Sequence, residues 1–234
     1  MNRSLILFLI LSLGVQAFVP SLNNRNVPRS SFLCLSETTV AEPSLEDNLA
    51  LLKRAAETKQ EDSEAVFDAL SALEKQMRQV AREDPKIAES VLENLNGDWR
   101  LIFTTGTKDT QKRTGGRINY FPLKAVQSFR TDGMKIENGI YFGDFPALKF
   151  GGEFEFSLKS RKLEFDFNRV TLFGLFDIKL GQKDAAELGA KSGLGSKNNV
   201  TNKRKPFFNW ISADDSIATA RGGGGGLALW KRVE

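Results

Sequence analysis

Glu153-Phe154-Glu155-Phe156-Ser157-Leu158, followed after a short turn by Leu163-Glu164-Phe165-Asp166-Phe167-Asn168, is the part of the sequence that decides the fold. Apolar and polar residues alternate in both segments, and a period of two is typical of a β-strand with one buried face. The turn near Lys159 to Lys162 predicts that the two strands form an antiparallel hairpin. Its aromatic side chains should face a core, and its carboxylates should face water.

Strand signals continue on both sides of this hairpin. After Gly97, the apolar residues Trp99, Leu101 and Phe103 again recur at every second position. Weaker signals lie at residues 125–131, 134–142, 170–180, 207–213, 216–221 and 227–233. Nine strands with short connections predict a mainly β fold, built as an antiparallel meander. About eight strands can close into a barrel that holds one small ligand, and an open, curved sheet packed on helices is the alternative.

A helical period precedes the strands. Leu45, Leu49 and Leu52 recur at helical spacing, and a second apolar stripe runs from Val66 to Val80. Asp62 and Ser63 are candidate caps of the second helix, and Asp84-Pro85 would end it. A third, short helix is predicted from Pro85 to Leu95. We therefore expect a helical lead-in at residues 45–95 and a β-barrel domain at residues 97–233.

The composition argues against several kinds of catalysis. The chain has no histidine, and its single cysteine is Cys34. Downstream of Cys34 it lacks the commonest general base, the imidazole and thiolate metal ligands and the best nucleophile. Phenylalanine, by contrast, occurs 18 times. We expect a container for apolar molecules, with no catalytic residue, no metal site and no cofactor.

The N-terminus carries two targeting signals. An apolar run from Leu5 to Leu13 predicts a signal peptide at residues 1–17, because the run is too short to span a bilayer. Residues 18–40 are basic, hydroxylated and poor in acidic residues, which is typical of a transit peptide. With Phe18-Val19-Pro20-Ser21 at its start, this order resembles the bipartite presequence of algae with secondary plastids. Plain secretion is the alternative, which the sequon Asn199-Val200-Thr201 would suit.

The charge distribution gives no sign of a nucleic-acid partner. Residues 1–35 hold three of the 33 basic residues and none of the 29 acidic ones, so the rest of the chain is nearly neutral. It also lacks the basic stripe with interleaved aromatics that nucleic-acid binding requires. Two basic clusters, Lys108 to Arg117 and Lys203 to Lys205, are interpreted as solvated loops or as contacts with anionic lipid headgroups.

A long insert at residues 181–206 interrupts the strands. It carries a short helical signal from Asp184 to Leu188 and ends in Lys203-Arg204-Lys205 next to Pro206-Phe207-Phe208. Loops of this length inside compact domains are lids, binding loops or disordered segments. Positive charge beside aromatic side chains suits insertion into a lipid surface. A solvated loop is the alternative.

Two parts of the sequence resemble the plastid lipid-associated proteins, also called fibrillins. Leu95-Asn96-Gly97-Asp98-Trp99-Arg100-Leu101-Ile102-Phe103-Thr104-Thr105 is similar to that family's entry strand. The C-terminal part is similar to its last strands, in Trp210, Asp214-Asp215, Arg221, a glycine turn and Leu227-Ala228-Leu229-Trp230. The resemblance covers about residues 45–233.

The resemblance implies a lipocalin-like antiparallel β-barrel preceded by α-helices. It also implies residence in the plastid (chloroplast) and association with plastoglobules or thylakoids. There, the family's members bind or sequester carotenoids, quinones and other lipids, so the implied partners are an apolar lipid or isoprenoid ligand and a membrane or lipid-droplet surface. The insert and the five consecutive glycines, Gly222 to Gly226, depart from the family pattern.

The candidate ligand-binding residues are those expected to line the barrel or its rim. They either surround a cavity or fill it completely. Gly222 to Gly226 is interpreted as a hairpin turn, because no Lys-Ser/Thr pair follows it as in a phosphate-binding loop. Arg221 should pair with Asp214 or Asp215, or meet a polar ligand at the rim. The full set is Trp99, Leu101, Phe103, Phe154, Phe156, Phe165, Phe167, Trp210 and Arg221.

Three functions follow from the sequence. The first is a lipid-binding, structural plastid protein without chemistry of its own. The second is an enzyme acting on a lipid or isoprenoid through Asp214, Asp215, Tyr120 or Tyr141. The third is an accessory module whose helices dock on a plastid enzyme or photosynthetic complex. A wholly apolar interior would favour the first, an inward carboxylate pair the second, and an exposed apolar helical patch the third.

Overall fold

The computed structural model describes residues 42–181 and 205–234. From Pro43 onward the described residues belong to one compact unit. The predicted signal peptide, the transit peptide-like segment, the helical signal at 184–188, the sequon and the basic pair Lys203-Arg204 lie outside the described residues.

Four α-helices form where local capping supports them. They are α1 (Leu45–Thr58), α2 (Ser63–Glu83), α3 (Ile87–Leu95) and α4 (Lys108–Thr114). Asp62 caps α2 by accepting hydrogen bonds from the backbone N–H groups of Glu64 and Ala65, and Asp84 follows its last residue. The predicted helices at 45–95 are confirmed. None of the helices described is both long and apolar enough to cross a membrane.

Ten antiparallel strands follow the first three helices. They are β1 (Gly97–Thr104), β2 (Asn119–Tyr120), β3 (Lys124–Arg130), β4 (Lys135–Phe142), β5 (Phe145–Ser157), β6 (Lys162–Leu172), β7 (Phe176–Lys179), β8 (Phe207–Ala213), β9 (Ile217–Gly222) and β10 (Leu227–Arg232). Neighbouring strands pair in the order β10-β9-β8-β6-β5-β4-β3-β1, and β10 also pairs with β1. The pairing therefore closes a ring of eight strands. The predicted lipocalin-like barrel is confirmed, and the open sheet is not the fold.

The structure differs from the predicted elements at four places. The predicted strand at 170–180 is the end of β6, a turn and the separate short strand β7. Strand β5 begins at Phe145, ahead of the clean alternation, because Gly151 and Gly152 interrupt its pattern without ending its pairing. The two-residue strand β2 carried too short a signal to predict. The basic segment starting at Lys108 is the helix α4 and not a loop, and Thr107 caps it.

Two apolar cores lie on opposite faces of the barrel wall. The interior core contains most of the large aromatic side chains, and α3 closes one end of the barrel by adding Val91 and Leu95 to it. The second core lies between the outer face of the wall and the helices α1 and α2. We refer to the end covered by α3 as the closed end and to the opposite end of the same strands as the mouth.

Phe103 belongs to the second core, so its expected position inside the barrel is wrong. The pairing of β1 with β10 shifts register between Leu101 and Phe103, which is the signature of a β-bulge. One extra residue moves the following side chains to the other face. As a result, Ile102 and Phe103 both pack under the helices, and the Phe103 ring lies edge-on to Tyr120.

Candidate functional site

The closed half of the barrel is filled by interlocking aromatic rings. Trp210 on β8 lies 5.5 Å from Phe129, 5.7 Å from Phe208 and 5.3 Å from Trp230, measured between ring centroids. Phe129 is on β3, which stands opposite β8 in the ring of eight strands. The contact between Phe129 and Trp210 therefore crosses the interior, so side chains occupy the barrel at this level.

One level closer to the mouth, two uncharged polar side chains face the interior. The strand register places Gln127 between Trp99 and Asn138, and Asn138 next to Phe150. The side-chain Nε2 of Gln127 donates to Oδ1 of Asn138 at 2.8 Å, and both residues are buried. Within the described residues Oε1 of Gln127 has no hydrogen-bond partner, and the same holds for Nε1 of Trp210.

The row of side chains nearest the mouth is apolar. Ala125, Ile140, Leu148 and Leu172 lie next to one another in register. Leu148 is buried, whereas the other three are only half-buried, although they face the interior. Interior-facing side chains that keep contact with solvent mark this end of the barrel as open in the part of the chain that the structure describes.

Seven of the nine predicted ligand-binding residues are brought together in the interior core. Five of them are buried, and Leu101 and Phe156 pack against that core as half-buried side chains. Phe154 and Phe165 are paired across β5 and β6, as the alternation of the hairpin predicts. The seven are Trp99, Leu101, Phe154, Phe156, Phe165, Phe167 and Trp210.

Arg221 does not take part in this interior, and its predicted pairing with Asp214 or Asp215 is not formed. Its guanidinium binds the carboxylate of Glu74 on α2 through two hydrogen bonds, of 2.8 Å to Oε1 and 2.5 Å to Oε2. It also donates to the carbonyl oxygen of Gly225 at 2.7 Å. This planar, two-point contact holds α2 and the glycine turn to the barrel wall. Arg221 is a structural clamp in this fold.

The clamp makes a testable contribution to stability. Hydrogen bonding to Arg221 holds the pKa of the Glu74 carboxyl below its ordinary value of 4.5. Because this pKa is lower in the folded than in the unfolded state, the stabilisation is present above pH 4.5 and is lost as the pH falls through the folded-state pKa. We expect Glu74→Gln to lower the free energy of unfolding by about 1–3 kcal/mol at neutral pH, with the difference from wild type shrinking below pH 4.5.

Urea unfolding at a series of pH values measures this effect. Glu155→Gln is the control, because Glu155 pairs with Lys205 on an exposed surface where solvent screens the pair, and it should lose less stability than Glu74→Gln. An equal loss in both variants, or a difference for Glu74→Gln that does not change in acid, would contradict the clamp.

The candidate catalytic residues form no shared buried site, since Asp215 is exposed and the other three lie apart from one another. Burial alone would raise the pKa of Asp214, but hydrogen bonds from the backbone of Ile217 and Ser216, together with Lys53, lower it below its ordinary value. Tyr120 donates its hydroxyl hydrogen to the carbonyl oxygen of Glu61 at 2.7 Å, beneath the helices. Tyr141 lies beside Lys124 and Lys149. Each of these three side chains has a local structural partner.

The buried polar side chains that the structure describes are all uncharged. Residues 42–181 and 205–234 also contain no cluster of three acidic, histidine or cysteine side chains that could hold a metal ion. The Arg232 guanidinium covers the Trp99 ring, 4.3 Å from its centroid, and is held at the closed end by the carbonyl oxygens of Asn94 and Asn96. Toward the mouth, the interior offers apolar contact and a few neutral hydrogen-bonding groups.

Residues 205–208 are the described end of the segment that was expected to present aromatic side chains next to positive charge. Their aromatic rings are not free for such a contact. Phe208 packs against the interior core, and Phe207 is half-buried beneath the ammonium group of Lys162, 4.6 Å from its ring centroid. Lys205 pairs with Glu155 at 2.8 Å. The prediction of exposed aromatics at 207–208 is wrong, because Phe208 packs on the interior core and Phe207 is covered by Lys162.

Surface depressions among the described residues include one beside β5 and one beside α2. One, of about 430 Å³, lies beside Glu153, Glu155, Asp166 and Lys205, which are mainly outward-facing charged side chains. The other, of about 460 Å³, lies between Leu45 and the polar face of α2. The first depression is lined mainly by polar surface, and the second, although mainly apolar, is shallow and wide open to solvent. A lipid site needs a lining that is both apolar and enclosing. The barrel interior is therefore the better candidate site.

Sequence reasoning missed Gln127 and Asn138 as site residues. Their signal was present, since Ala125, Gln127 and Phe129 alternate with outward-facing residues, and Asn138 occupies the equivalent position between Ile136 and Ile140. A polar residue at an otherwise inward-facing apolar position is a candidate ligand contact. The aromatic residues Phe129, Phe150, Phe208 and Trp230 also contribute to the interior.

Comparisons with known structures give weak likenesses. A lipocalin-like protein from Bacteroides uniformis is 12% identical, with a TM-score of 0.36, and the match covers 60% of this chain and 99% of that one. A REP1-NXSQ fatty acid transporter is 9% identical, with a TM-score of 0.29, covering 61% of this chain and 98% of that one. Likenesses at this level support no argument about function. No curated protein sequence matches this chain.

The family comparison is decisive. The PAP_fibrillin family matches residues 40–229, which include the three leading helices and almost all of the barrel. The match extends over the entry strand and over the C-terminal strands that carried the resemblance, as far as Leu229. The protein therefore belongs to the PAP/fibrillin family, which is a plastid-associated family of lipid-associated proteins.

Proposed function

We propose that this protein binds or sequesters apolar lipids, such as carotenoids, quinones or other isoprenoids, at plastoglobules or thylakoids in the plastid. Its role is structural and not catalytic. The ligand enters through the mouth and lies against the apolar side chains above the aromatic layer. Trp99 and Phe167, both expected from the sequence to contact ligand, belong to the interior core that it would meet.

The observation that carries this proposal is the uncharged interior with an unsatisfied amide. A buried carbonyl oxygen without a hydrogen-bond partner costs about 1–3 kcal/mol. Exchanging the oxygen and nitrogen of the Gln127 amide would leave the other atom unpaired, since only one side of the amide has a partner. A hydroxyl group can donate or accept, so it satisfies the amide in either orientation. The preferred ligand is therefore an apolar molecule with one hydroxyl-bearing end.

An enzyme or a helix-docked accessory module has less support. General acid–base chemistry on a lipid needs a titratable group in the interior, and the buried polar side chains described are neutral. A module docking through α1 and α2 needs an exposed apolar helical face. The large apolar side chains that are exposed in the described part of the chain lie on strands and turns or near the C-terminus.

Ligand uptake by the delipidated full-length protein tests the proposal. We expect the protein to bind a quinol about 5- to 10-fold more tightly than a matching hydrocarbon without hydroxyl groups, which is the difference that one neutral hydrogen bond makes. Gln127→Leu should remove this preference while the protein still binds both ligands. Equilibrium titration followed by extraction and mass analysis gives the affinities and the bound species.

Gln60→Leu is the matched control. It makes the same chemical change at an exposed position between α1 and α2, away from the barrel interior, and should keep the preference. If the wild-type protein takes up neither ligand, the proposed function is wrong. If Gln127→Leu keeps the full preference, the hydroxyl end does not lie at Gln127.

A further inference from the structure

Four large apolar side chains are exposed side by side at the mouth of the barrel. Phe142 is 50% exposed, Phe145 52%, Leu175 79% and Phe176 52%. Phe142 and Phe145 flank the turn between β4 and β5, and Leu175 and Phe176 lie at the turn between β6 and β7. Together with Phe173, we call these side chains the mouth patch. Exposed apolar side chains in such a contiguous group mark an interaction surface.

Contacts between the two turns hold the mouth patch together. The rings of Phe145 and Phe173 stack with their centroids 6.3 Å apart. The backbone N–H of Phe173 donates to the carbonyl oxygen of Ala147 at 3.0 Å. Phe142 and Phe145 are also directly paired across their hairpin. The two turns therefore present one preformed apolar surface, so docking through it requires little ordering.

The mouth patch is continuous with the barrel interior. Leu172 pairs with Phe176 on one side and with Leu148 on the other, and Leu148 belongs to the interior core. An apolar molecule that leaves a lipid phase at the patch would meet apolar side chains all the way to the interior. A lipid phase, which is a reservoir of apolar molecules, is therefore a better candidate occupant of the patch than the surface of a folded protein.

Several of the charged side chains behind the mouth patch are paired. Lys124 pairs with Asp144 at 2.7 Å, and Lys149 pairs with Glu137 at 2.8 Å. Asp177 accepts a hydrogen bond from the hydroxyl of Thr171. A surface with exposed apolar side chains and ion pairs behind them complements uncharged lipid headgroups better than a strongly charged partner.

We infer that the mouth patch docks the protein on a lipid membrane, with its four exposed apolar side chains inserted and the open end of the barrel facing the lipid. This inference rests on the proposed function and deepens it by naming the surface through which ligand is exchanged. The docking surface comprises the two turns around residues 142–145 and 173–176.

Co-sedimentation of the full-length protein with phosphatidylcholine vesicles tests the inference. The patch variant Leu175→Ser with Phe176→Ser should bind the vesicles at least about tenfold more weakly, because two inserted side chains are lost. The control variant Leu158→Ser with Val233→Ser changes side chains that are 48% and 38% exposed near the closed end. It should bind within about twofold of wild type. Thermal unfolding checks that both variants keep the fold.

Three outcomes would overturn the inference. The first is wild-type protein that does not sediment with the vesicles. The second is an equal loss of binding in the patch and control variants. The third is a wild-type dimer in light scattering that dissociates in the patch variant, because a second copy would then cover the patch.

Uptake of a water-soluble short-chain quinol separates this inference from the proposed function. Wild type and the patch variant should take up the quinol equally well in the absence of vesicles, since the interior is unchanged. If wild-type protein binds vesicles through the patch but takes up no quinol, the docking inference stands and the proposed function is wrong. Loss of quinol uptake in the patch variant alone would place the mouth patch in the ligand site and overturn its assignment to membrane docking.

Discussion

Trp210→Ala is expected to lower the free energy of unfolding by about 3–5 kcal/mol. Trp210 is almost completely buried, and its ring contacts Phe129, Phe208 and Trp230. Favourable aromatic pairs each contribute about 0.5–1.5 kcal/mol beyond the burial of area, so truncation removes several of them at once. It also leaves a cavity in the one layer of side chains that joins β8 to the opposite strand β3 across the barrel.

Urea unfolding followed by far-ultraviolet circular dichroism measures this effect without depending on tryptophan fluorescence. Trp210→Phe is the matched variant, because it keeps an aromatic ring in place and removes the Nε1–H that has no partner among the described residues. Its expected cost is smaller, roughly 1–2 kcal/mol. A loss below about 1 kcal/mol for Trp210→Ala would mean that the ring is not packed as described.

The hairpin at the centre of the fold could be predicted because each of its residues has one clear preference. Phe154 and Phe165 are buried, and Glu153 and Glu155 are exposed, as their alternation requires. A period of two needs no knowledge of distant parts of the chain. Closure of the barrel was less certain from the sequence, since it depends on the pairing of β1 with β10, more than a hundred residues apart.

The predictions were wrong where a contact with a distant part of the chain, and not the local sequence pattern, determines the position of a side chain. Phe103 continues the alternation of Trp99 and Leu101, yet the bulge opposite β10 turns it to the helices. Arg221 has two aspartates nearby in sequence, but its partner Glu74 is 147 residues away. The sequence of one strand does not reveal the extra residue in β1. It does not reveal the approach of α2 either.

The candidate site could be predicted only in part for a related reason. Apolar alternation identifies which side chains face the interior, but it does not tell whether opposite walls are in contact. Whether Phe129 reaches Trp210 depends on the diameter of the barrel, which is set by the number of strands and their stagger. The same limit applies to the unpartnered amide of Gln127, because a missing partner is visible only once the neighbours are in place.

Gly152→Ala is expected to be strongly destabilising, at the upper end of the roughly 1–3 kcal/mol that overpacking costs or beyond it. A Cβ at this position would lie 1.8 Å from the carbonyl oxygen of Asp166 and 2.9 Å from the Cα of Phe167. Both atoms belong to the backbone of β6, so no side-chain rotation can relieve the overlap. Only separation of β5 from β6 could make room.

This close approach coincides with the register shift between Gly151 and Gly152, where the paired strands are at their most irregular. Separating the strands there would break the ladder next to the pair Phe154 and Phe165, which supplies two rings to the interior core. For a folded unit of this size, a loss of about 3 kcal/mol lowers the melting temperature by roughly 6–12 °C.

The melting temperatures of Gly152→Ala and of the control variant Gly133→Ala, each compared with wild type, test this prediction. Gly133 lies in the turn before β4, and a Cβ there would meet nothing closer than the flexible side chain of Lys135, at 3.7 Å. The control should therefore melt within about 4 °C of wild type, since a compatible glycine-to-alanine change alters stability by less than about 1 kcal/mol. Equal melting temperatures for the two variants would show that the backbones of β5 and β6 are not in contact at Gly152. The close approach of β6 would then not explain why a glycine lies in the middle of β5, the longest strand of the barrel.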